Sequence, residues 1–555
     1  MMEGSSHFAE KHPRSNPFFI FYTPSSGSDV SCTFSDVIDR DLGIIASSVH
    51  VSHVVDLEWL LSIYAECGQS TTMHVVGSCV SQLDNNVHNK EVKVTRMLSN
   101  HVFSTVHHAK FSILEYIDGS MRLIITSANL SDNDWTQHVN GVWISPRLKL
   151  LPEDAGYTDG ECPTFFKSDF IRFLRAYSEM APELVDQIIP RLKRMDFSAI
   201  NCFFIGSVPG VHSCDNDEDV YWGHERVGRI LEDHACLPNY DVGRCCIVMQ
   251  SSSIGSVGDN ADNNWLTGEF TRALSAVFVA ENTNDAIDTI KTPIFLIYPS
   301  VRDLSNGSSL NNCLCYSSET HARQHWISKY LCRWRNNAAG GAEIAPHVKC
   351  FLRTDPTFTI ASWFLLTSGN ISQAAWGKLN SRGGLYVKNF EAGVLLLPSF
   401  VTGNTAFPLA TLNGSIETFN KDVASLIVPF DLPPVRYSPG TDEPCFKQST
   451  DLNLRQRNRS PCKDKHLRFT ISKGDEHRAE EIFPNLSSVA DKVVQKQSAR
   501  RAQNGPTYCD VQSLSDIQVS HDVDSYTVLL KNAAALKILH YLMIDVRSYG
   551  ARPSK

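Results

Sequence analysis

The chain carries an internal repeat of chemically active residues, which limits its fold more than any other feature. His108-Ala109-Lys110 recurs as His347-Val348-Lys349, and each triplet precedes an apolar run that ends in Ser-x-Asn, at Asn129 and at Asn370. The copies stay in step beyond that point, because both read Asn-(Leu/Ile)-Ser-x-x-x-Trp. A repeat spaced this widely predicts two duplicated units that face each other and bring single residues to one pseudo-symmetric centre.

The repeated residue types suit the cleavage of a phosphodiester without a metal. Such a reaction needs a nucleophile, a proton donor for the leaving oxygen, and positive charge on the phosphoryl oxygens. Two His can divide the first two tasks, while two Lys ammonium groups and two Asn amides hold the oxygens. A lone His-x-Lys is more often a strand-edge pair with its Lys in solvent. Duplication together with a shared Ser-x-Asn favours the catalytic interpretation.

Taken together, the motifs resemble the phospholipase D superfamily, whose usual pattern is His-x-Lys, four residues, Asp, and then Gly/Ser-x-Asn. The Asp is absent from both copies, where Glu115 and Thr354 stand at that offset. This departure is similar to the pattern of the tyrosyl-DNA phosphodiesterase family. Further segments within residues 16–436 resemble that family: Asn16-Pro17-Phe18, 56–60, 252–256, 296–301 and 428–434.

The resemblance implies a role for each residue of the two sets. His108 would attack phosphorus and form a phosphohistidine, while His347 would protonate the departing tyrosine oxygen and then activate water to leave a 3′-phosphate. Four further residues would hold the equatorial phosphoryl oxygens: Lys110, Lys349, Asn129 and Asn370.

Four more residues complete the predicted site. Glu391 matches the family's acidic residue behind one His, and Asn140 stands where the family prefers Gln behind the other. A hydrogen bond to the inner ring nitrogen of each His would fix its tautomer. Ser253 and Ser372 are candidate donors to the substrate's neighbouring phosphate, although a Ser in a tight turn is as often structural. The resemblance implies neither a cofactor nor a metal.

Three features depart from the family's pattern. His53 stands where the family has an aromatic residue, and Phe103 lies one residue further from His108 than the family's phenylalanine. The family also has a Trp-rich C-terminal segment, whereas this chain has no Trp after Trp376. The departures concern base-stacking contacts and a closing strand, and they leave the catalytic set intact.

Composition sets the broad class. A chain of 555 residues with 42% hydrophobic content can bury two sizeable cores. A formal charge of −9 argues against a generally basic surface, so we expect DNA to contact a short local groove. The 16 Cys lack a C-x-x-C motif, which suggests reduced intracellular thiols. Residues 1–13 lack an apolar signal region, and no stretch is long and apolar enough to span a membrane.

Short apolar runs bracket the motifs and predict buried strands at 110–116, 123–126, 202–205, 363–367 and 394–397. Helical patterns separate them at 170–180, 183–194, 222–234 and 320–334. The alternation predicts an α/β fold. With the resemblance, we expect two pseudo-symmetric phospholipase D-like α-β-α halves, each with a central mixed sheet flanked by helices. The halves would span 16–196 and 197–436, linked near 194–201, after a flexible N-terminus at 1–15.

Residues 437–555 differ in character. The segment is polar, with a basic cluster at 455–459 and little apolar periodicity before Tyr526. We expect a largely disordered extension with a possible helix at 528–544. The basic cluster is either an ordinary solvated loop or an arm that touches DNA or directs the protein to the nucleus.

Three function classes follow from these observations. The first is a nuclear, possibly also cytoplasmic, DNA-repair phosphodiesterase. It would act as a monomer on single- or double-stranded DNA with a 3′-linked tyrosine or peptide, as in topoisomerase I–DNA adducts, and would not contact membranes. The second is another phospholipase D-type hydrolase, either a nuclease or a lipid phosphodiesterase. The third is a weakly active scaffold.

Overall fold

The computed structural model describes most of the chain up to residue 447 and four short strands beyond it. The described residues are 16–24, 30–81, 92–97, 106–156, 158–214, 221–237, 244–277, 292–304, 313–335, 344–412, 414–415, 424–447, 467–472, 517–522, 525–530 and 552–553. Residues 1–448 form one compact unit and residues 449–555 form another. The expectations for residues 1–15, for Phe103 and for the cluster at 455–459 fall outside the described residues.

The first half is built on one mixed sheet. In chain order, the strands of this half are β1 (Ile20–Thr23), β2 (Ile45–Val55), β3 (Thr72–Val80), β4 (Val92–Arg96), β5 (Val106–His107), β6 (Phe111–Tyr116), β7 (Met121–Thr126), β8 (His138–Ile144), β9 (Lys149–Leu150) and β10 (Met195–Asp196). β9 and β10 form a separate pair. The sheet order is β1-β8-β7-β6-β2-β3-β4. Neighbours are antiparallel as far as β2, and the β2, β3 and β4 strands are parallel.

The second half repeats this topology. Its strands are β11 (Phe203–Ser207), β12 (Gly210–His212), β13 (Cys246–Gln250), β14 (Ile294–Ile297), β15 (Leu331–Cys332), β16 (Ala345–Pro346), β17 (Cys350–Thr354), β18 (Ile360–Thr367), β19 (Lys378–Leu379), β20 (Leu385–Val387), β21 (Asn389–Leu396), β22 (Phe407–Thr411), β23 (Gly414–Ser415) and β24 (Leu426–Val428). The order β11-β21-β18-β17-β13-β14-β15 has the same sequence of antiparallel and parallel pairs as the first sheet. The predicted mixed sheets and pseudo-symmetry are confirmed.

Helices cover the sheets. They are α1 (Phe34–Val37), α2 (Leu57–Glu66), α3 (Asp132–Thr136), α4 (Phe166–Arg175), α5 (Pro182–Lys193), α6 (Gly223–His234), α7 (Thr271–Leu274), α8 (Ser318–Arg323), α9 (Gln373–Trp376) and α10 (Pro398–Val401). Short 3₁₀ or π segments occupy Arg40–Leu42, Leu266–Phe270, Val301–Leu304 and His325–Tyr330. None of the helices within the described ranges has the length and apolar character of a membrane span.

Three apolar clusters hold the layers together. The largest lies between the halves and contains residues of both sheets, such as Val51 and Val394, together with α4 and α5. A second cluster packs α6 on the outer face of the second sheet, and a third packs α2 on that of the first. The predicted link at 194–201 contributes Phe197 and Ile200 to the shared cluster, so it is a packed part of the core.

Two very short strands each pair with the sheet of the opposite half and thereby hold the two repeated His in position. β5 pairs with β21 of the second sheet, and β16 pairs with β8 of the first. Each crossing strand comes directly before a repeated His, so the backbone N–H of His108 donates to Phe390 O at 3.0 Å and that of His347 to Val139 O at 2.8 Å. Each half therefore holds the reactive His of the other.

Glycine permits close packing beside these crossings, between neighbouring strands of the second sheet at Gly393 and between the two sheets at Gly141. The repeated Gly-Val pair places Gly141 in β8 and Gly393 in β21. A Cβ at Gly393 would lie 2.5 Å from the Leu366 carbonyl oxygen, whereas one at Gly141 would meet the flexible end of the Leu366 side chain. Only the contact at Gly393 requires the backbone to shift.

Two sequence expectations for the compact unit are wrong in part. The pattern at 320–334 is not one helix but α8, a 3₁₀ turn and β15, because Leu331 and Cys332 pair with β14 at the sheet edge. The boundary at 436 is too early, since the chain stays packed to Lys447. Tyr437 donates to Tyr298 O at 2.8 Å, and Cys445 is buried in the second cluster.

The second unit contains a small antiparallel sheet. Its strands are β25 (Leu467–Ser472), β26 (Ile517–Asp522), β27 (Ser525–Leu530) and β28 (Arg552–Pro553), in the order β26-β27-β25-β28. The helix predicted at 528–544 is wrong for residues 528–530, which belong to β27, because the β-branched and aromatic residues of Ser525–Leu530 favour a strand. Residues 531–544 fall outside the described residues.

Gly393→Ala should destabilise the compact unit by about 2 kcal/mol, because the added methyl group meets a carbonyl in a closely packed core. Gly268→Ala is the matched control, since Gly268 is exposed and an added Cβ meets no heavy atom within 4 Å. Because Gly268 lies in a helical segment, that change should leave the free energy of unfolding unchanged or raise it by up to about 1 kcal/mol. Urea unfolding measures both values, and equal stability of the two variants would contradict the packing account.

Candidate active site

The site forms where the ends of the crossing strands meet. His108 lies between β5 and β6, and His347 lies between β16 and β17 at the equivalent place of the other half. Their electrostatic coupling shows that the two sets share one centre. The charge of Lys349 contributes to lowering the pKa of His108, and that of Lys110 contributes to lowering the pKa of His347.

Glu391 holds His108 from the opposite half. The Nδ1 of His108 lies 2.9 Å from Glu391 Oε2, which also accepts from Ser368 Oγ at 2.6 Å. Asn389 Nδ2 donates to Oε1 at 3.0 Å. Burial alone would raise the pKa of Glu391, but the neighbouring charge and hydrogen bond of His108, and Lys110, lower it to about 2. An ionised carboxylate can only accept, so Nδ1 of His108 carries a proton and Nε2 keeps its lone pair.

Asn140 holds His347 in the reciprocal manner. Asn140 Oδ1 lies 3.1 Å from Nδ1 of His347 and accepts from Ser127 Oγ at 2.8 Å. Asn140 Nδ2 donates to the Asp134 backbone oxygen at 2.7 Å, which fixes the amide orientation. Nδ1 of His347 is therefore the donor and Nε2 the reactive nitrogen. The shorter Asn side chain thus reaches the ring directly.

Burial and positive neighbours keep both His neutral without substrate. Burial, opposed by Glu391 and assisted by Lys110, lowers the pKa of His108 to about 4. Burial and the charge of Lys349 lower the pKa of His347 well below its usual value. A neutral His108 is the form that a nucleophile requires.

The two Lys side chains are almost fully enclosed. Lys110 is 1% exposed and donates to His108 O at 2.8 Å, and Lys349 is 0% exposed and donates to His347 O. Burial lowers the pKa of Lys110 to about 8, while burial and the charge of Lys110 lower that of Lys349 to about 7. Two such ammonium groups form a site in which an anion is strongly favoured.

The two Asn amides are oriented through their oxygens. Asn129 Oδ1 accepts from Val54 N at 3.3 Å. Asn370 Oδ1 accepts from Ser251 Oγ at 2.9 Å and Ser252 Oγ at 3.1 Å. Each amide NH₂ is then the group that can donate to a substrate oxygen.

The two predicted substrate-binding Ser have bonds within the protein. Ser253 Oγ donates to Cys315 O at 3.2 Å. Ser372 is the N-cap of α9, where its Oγ accepts from Ala375 N at 3.1 Å. These bonds give both hydroxyls a structural role, and their contact with a phosphate stays a prediction.

Sequence reasoning missed five residues of the site. They are Ser127 and Ser368, which bond to Asn140 and Glu391; Ser251 and Ser252, which hold Asn370; and Asp134. The repeat itself marked the first pair, because Ser127 and Ser368 are the Ser of the two Ser-x-Asn motifs. Asp134 was marked by a break in the repeat, since Ala375 stands at the matching position before the shared Trp.

His53 stands beside the nucleophile. Its ring centroid lies 5.7 Å from that of His108, and its Nδ1 lies 2.9 Å from His107 O. The position where the family has an aromatic residue is thus next to His108, and here it carries a smaller, polar ring. Within the described ranges, no three His, Cys, Asp or Glu side chains are grouped to hold a metal ion.

Comparison with known proteins places this geometry in context. A family model described as tyrosyl-DNA phosphodiesterase matches residues 19–438. The chain is 35% identical over 449 residues to tyrosyl-DNA phosphodiesterase 1 of Drosophila melanogaster, covering 78% of this chain and 74% of that protein. It is 27% identical over 466 residues to the Arabidopsis thaliana protein of that name, covering 74% and 71%.

A solved structure resembles the fold. The crystal structure of the yeast tyrosyl-DNA phosphodiesterase matches with a TM-score of 0.59 at 19% sequence identity, covering 78% of this chain and 99% of that chain. At this identity, the likeness supports the two-half architecture.

Proposed function

The chain belongs to the tyrosyl-DNA phosphodiesterase family, and we propose that it is a DNA-repair hydrolase that cleaves the bond between a tyrosine and a DNA 3′ phosphate. The observation that carries this function is the pair of buried His-Lys sets, each fixed by the opposite half. The two imidazoles are held in fixed orientations beside two buried ammonium groups. This arrangement suits a reaction in which a phosphoryl group is transferred from an oxygen to a His nitrogen and then to a second oxygen.

In the first step, Nε2 of His108 attacks phosphorus in line with the tyrosine oxygen. A P–N bond forms, the P–O bond to tyrosine breaks with its electron pair, and the proton on Nε2 of His347 moves to that oxygen. His347 must therefore be protonated in the complex. The anionic phosphodiester favours the imidazolium, which offsets the burial that keeps His347 neutral in its absence.

In the second step, a water molecule attacks the same phosphorus from the side that tyrosine has left. Nε2 of His347 takes a proton from the water, an O–P bond forms, and the P–N bond breaks with its electron pair returning to His108. The product is a DNA 3′-phosphate. Glu391 stabilises His108 whenever its ring carries positive charge, because its carboxylate stays ionised.

The phosphoryl oxygens would be held by Lys110, Lys349, Asn129 and Asn370. Both Lys are buried, so their attraction to the developing charge is weakly screened by water. The same four groups serve both steps, since the negative charge on the equatorial oxygens rises in each transition state.

The substrates would be single- or double-stranded DNA ends that carry a 3′-linked tyrosine or a short peptide, such as the remnants of topoisomerase I–DNA adducts. Because a net charge of −9 disfavours an extended DNA-binding surface, we expect the contact with DNA to be short and confined to the site. We propose that the protein acts as a monomer in the nucleus, where such adducts arise on chromosomal DNA, with the cytoplasm as a second location.

The most direct test uses three substrates in excess EDTA: a 3′-phosphotyrosyl oligonucleotide, the same oligonucleotide without tyrosine, and phosphatidylcholine. We expect rapid release of tyrosine alone, because Lys and Asn side chains supply the charge that a metal would otherwise supply. Gel mobility and lipid chromatography follow the products. Loss of turnover on chelation that a divalent ion restores, or faster cleavage of the lipid, would overturn the assignment.

Substitution of the two His should have different effects. His108→Ala removes the nucleophile, so no covalent species should form and turnover should fall by at least about a thousandfold. In His347→Ala the good phenolate leaving group still departs, roughly a hundredfold more slowly, and the adduct then lacks its base and accumulates. The exposed His325→Ala is the control. Denaturing gels with labelled DNA detect the adduct, and its appearance in His108→Ala would reverse the two roles.

A further inference from the structure

A second buried carboxylate faces the site from the helix that follows Asn129. Asp134 lies in α3, is 5% exposed, and accepts the Asn129 backbone N–H through Oδ2 at 2.5 Å. Its Oδ1 lies 3.0 Å from Nδ1 of His138, and its Oδ2 lies 3.5 Å from Nδ1 of His347. One carboxylate thus contacts two His side chains, and one of them is the general acid.

The two halves provide their carboxylates from different places. His108 receives Glu391 at 2.9 Å from the strand of the opposite half, while the matching position behind His347 is the uncharged Asn140. Asp134 provides the carboxylate that Asn140 lacks, and Ala375 stands at the matching position in the second copy of the repeat. Each reactive His therefore has one buried carboxylate, but that of His347 is shared with His138.

Asp134 is ionised in these surroundings. The charged or titratable groups that face it are His347, His138, Lys110, Lys349 and Cys313. Burial alone would raise the pKa of Asp134, yet the charges of His347 and His138 and the hydrogen bonds to it lower that pKa. A negative charge next to Nδ1 stabilises the imidazolium form of a His.

We propose that Asp134 is a positioning residue that orients His347 and stabilises its imidazolium. This inference rests on the proposed function. His347 is an imidazolium before its proton passes to the tyrosine oxygen and again after it takes a proton from water. His138 contacts Oδ1 of Asp134, which leaves Oδ2 facing His347.

The test compares leaving groups in single-turnover experiments with excess enzyme. Asp134→Asn keeps an oxygen for Asn129 N–H but removes the charge. Tyrosine needs a proton from His347 as it leaves, whereas the more acidic 4-nitrophenol does not. Asp134→Asn should therefore slow tyrosine release by roughly tenfold or more and slow 4-nitrophenolate release from the matching oligonucleotide by less than about threefold.

Asp132→Asn is the matched control. It makes the same change of charge on the same helix at an exposed position, and its carboxylate contacts only Thr136 among the hydrogen bonds described. Both release rates should be unchanged in this variant. If Asp134→Asn slows both leaving groups equally, or neither, Asp134 has a structural role at most and the inference is wrong.

His138→Gln separates the Asp134 carboxylate from its other His partner and does not depend on the Asp134 variant folding. Gln keeps an uncharged donor for Oδ1 of Asp134 and leaves the carboxylate in place. The ratio of tyrosine to nitrophenolate release should therefore stay within about twofold of that of the unsubstituted enzyme. A fall of about tenfold, as expected for Asp134→Asn, would show that the imidazole of His138 supports the acid, and the inference would be wrong. Absence of tyrosine release from the unsubstituted enzyme would instead refute the proposed function.

Discussion

The structure depends on a reciprocal exchange in which each half fixes the reactive histidine of the other. Two-residue strands carry the exchange, as β5 pairs with β21 and β16 pairs with β8. Because the next residue after each short strand is His108 or His347, the same pairing that joins the sheets also sets the position of both imidazoles. Glu391 and Asn140 follow from it, since they lie on β21 and β8 and meet the rings that these strands bring in. Neither half could form a working site alone.

The second constraint is charge. Two Lys and two His are buried around one point. Burial lowers the pKa of all four, both Lys charges lower the pKa of each His further, and the charge of Lys110 lowers that of Lys349. Nearby carboxylates stabilise the positive charge of such a cluster, and an anionic phosphodiester stabilises it further when it binds. Glu391 and Asp134 provide the balance from opposite sides. The arrangement explains how a protein with a net charge of −9 can attract DNA at one place.

Much of the fold and of the catalytic set could be predicted from sequence, because duplication makes a pattern visible. Strands such as β7 and β18 were predicted from apolar runs, and the His, Lys and Asn positions from the repeat. Features specified by tertiary pairing were not predicted. β15 looked like the end of a helix because two residues carry too little periodicity to reveal a sheet edge. Asp134 was missed because its role depends on contact with His347 from the other half, and no local spacing records that contact.

The claim that Glu391 and Asn140 fix the two rings is tested most directly by locating the covalent bond in the intermediate. With Nδ1 of His108 bound to Glu391, the phosphoryl group must be attached to Nε2 of that ring. ³¹P NMR and mass spectrometry of the acid-sensitive adduct, quenched under mild alkaline conditions from His347→Ala, distinguish the two nitrogens and identify the residue. The account predicts DNA on Nε2 of His108. DNA attached to Nδ1, or to a residue other than His108, would contradict it.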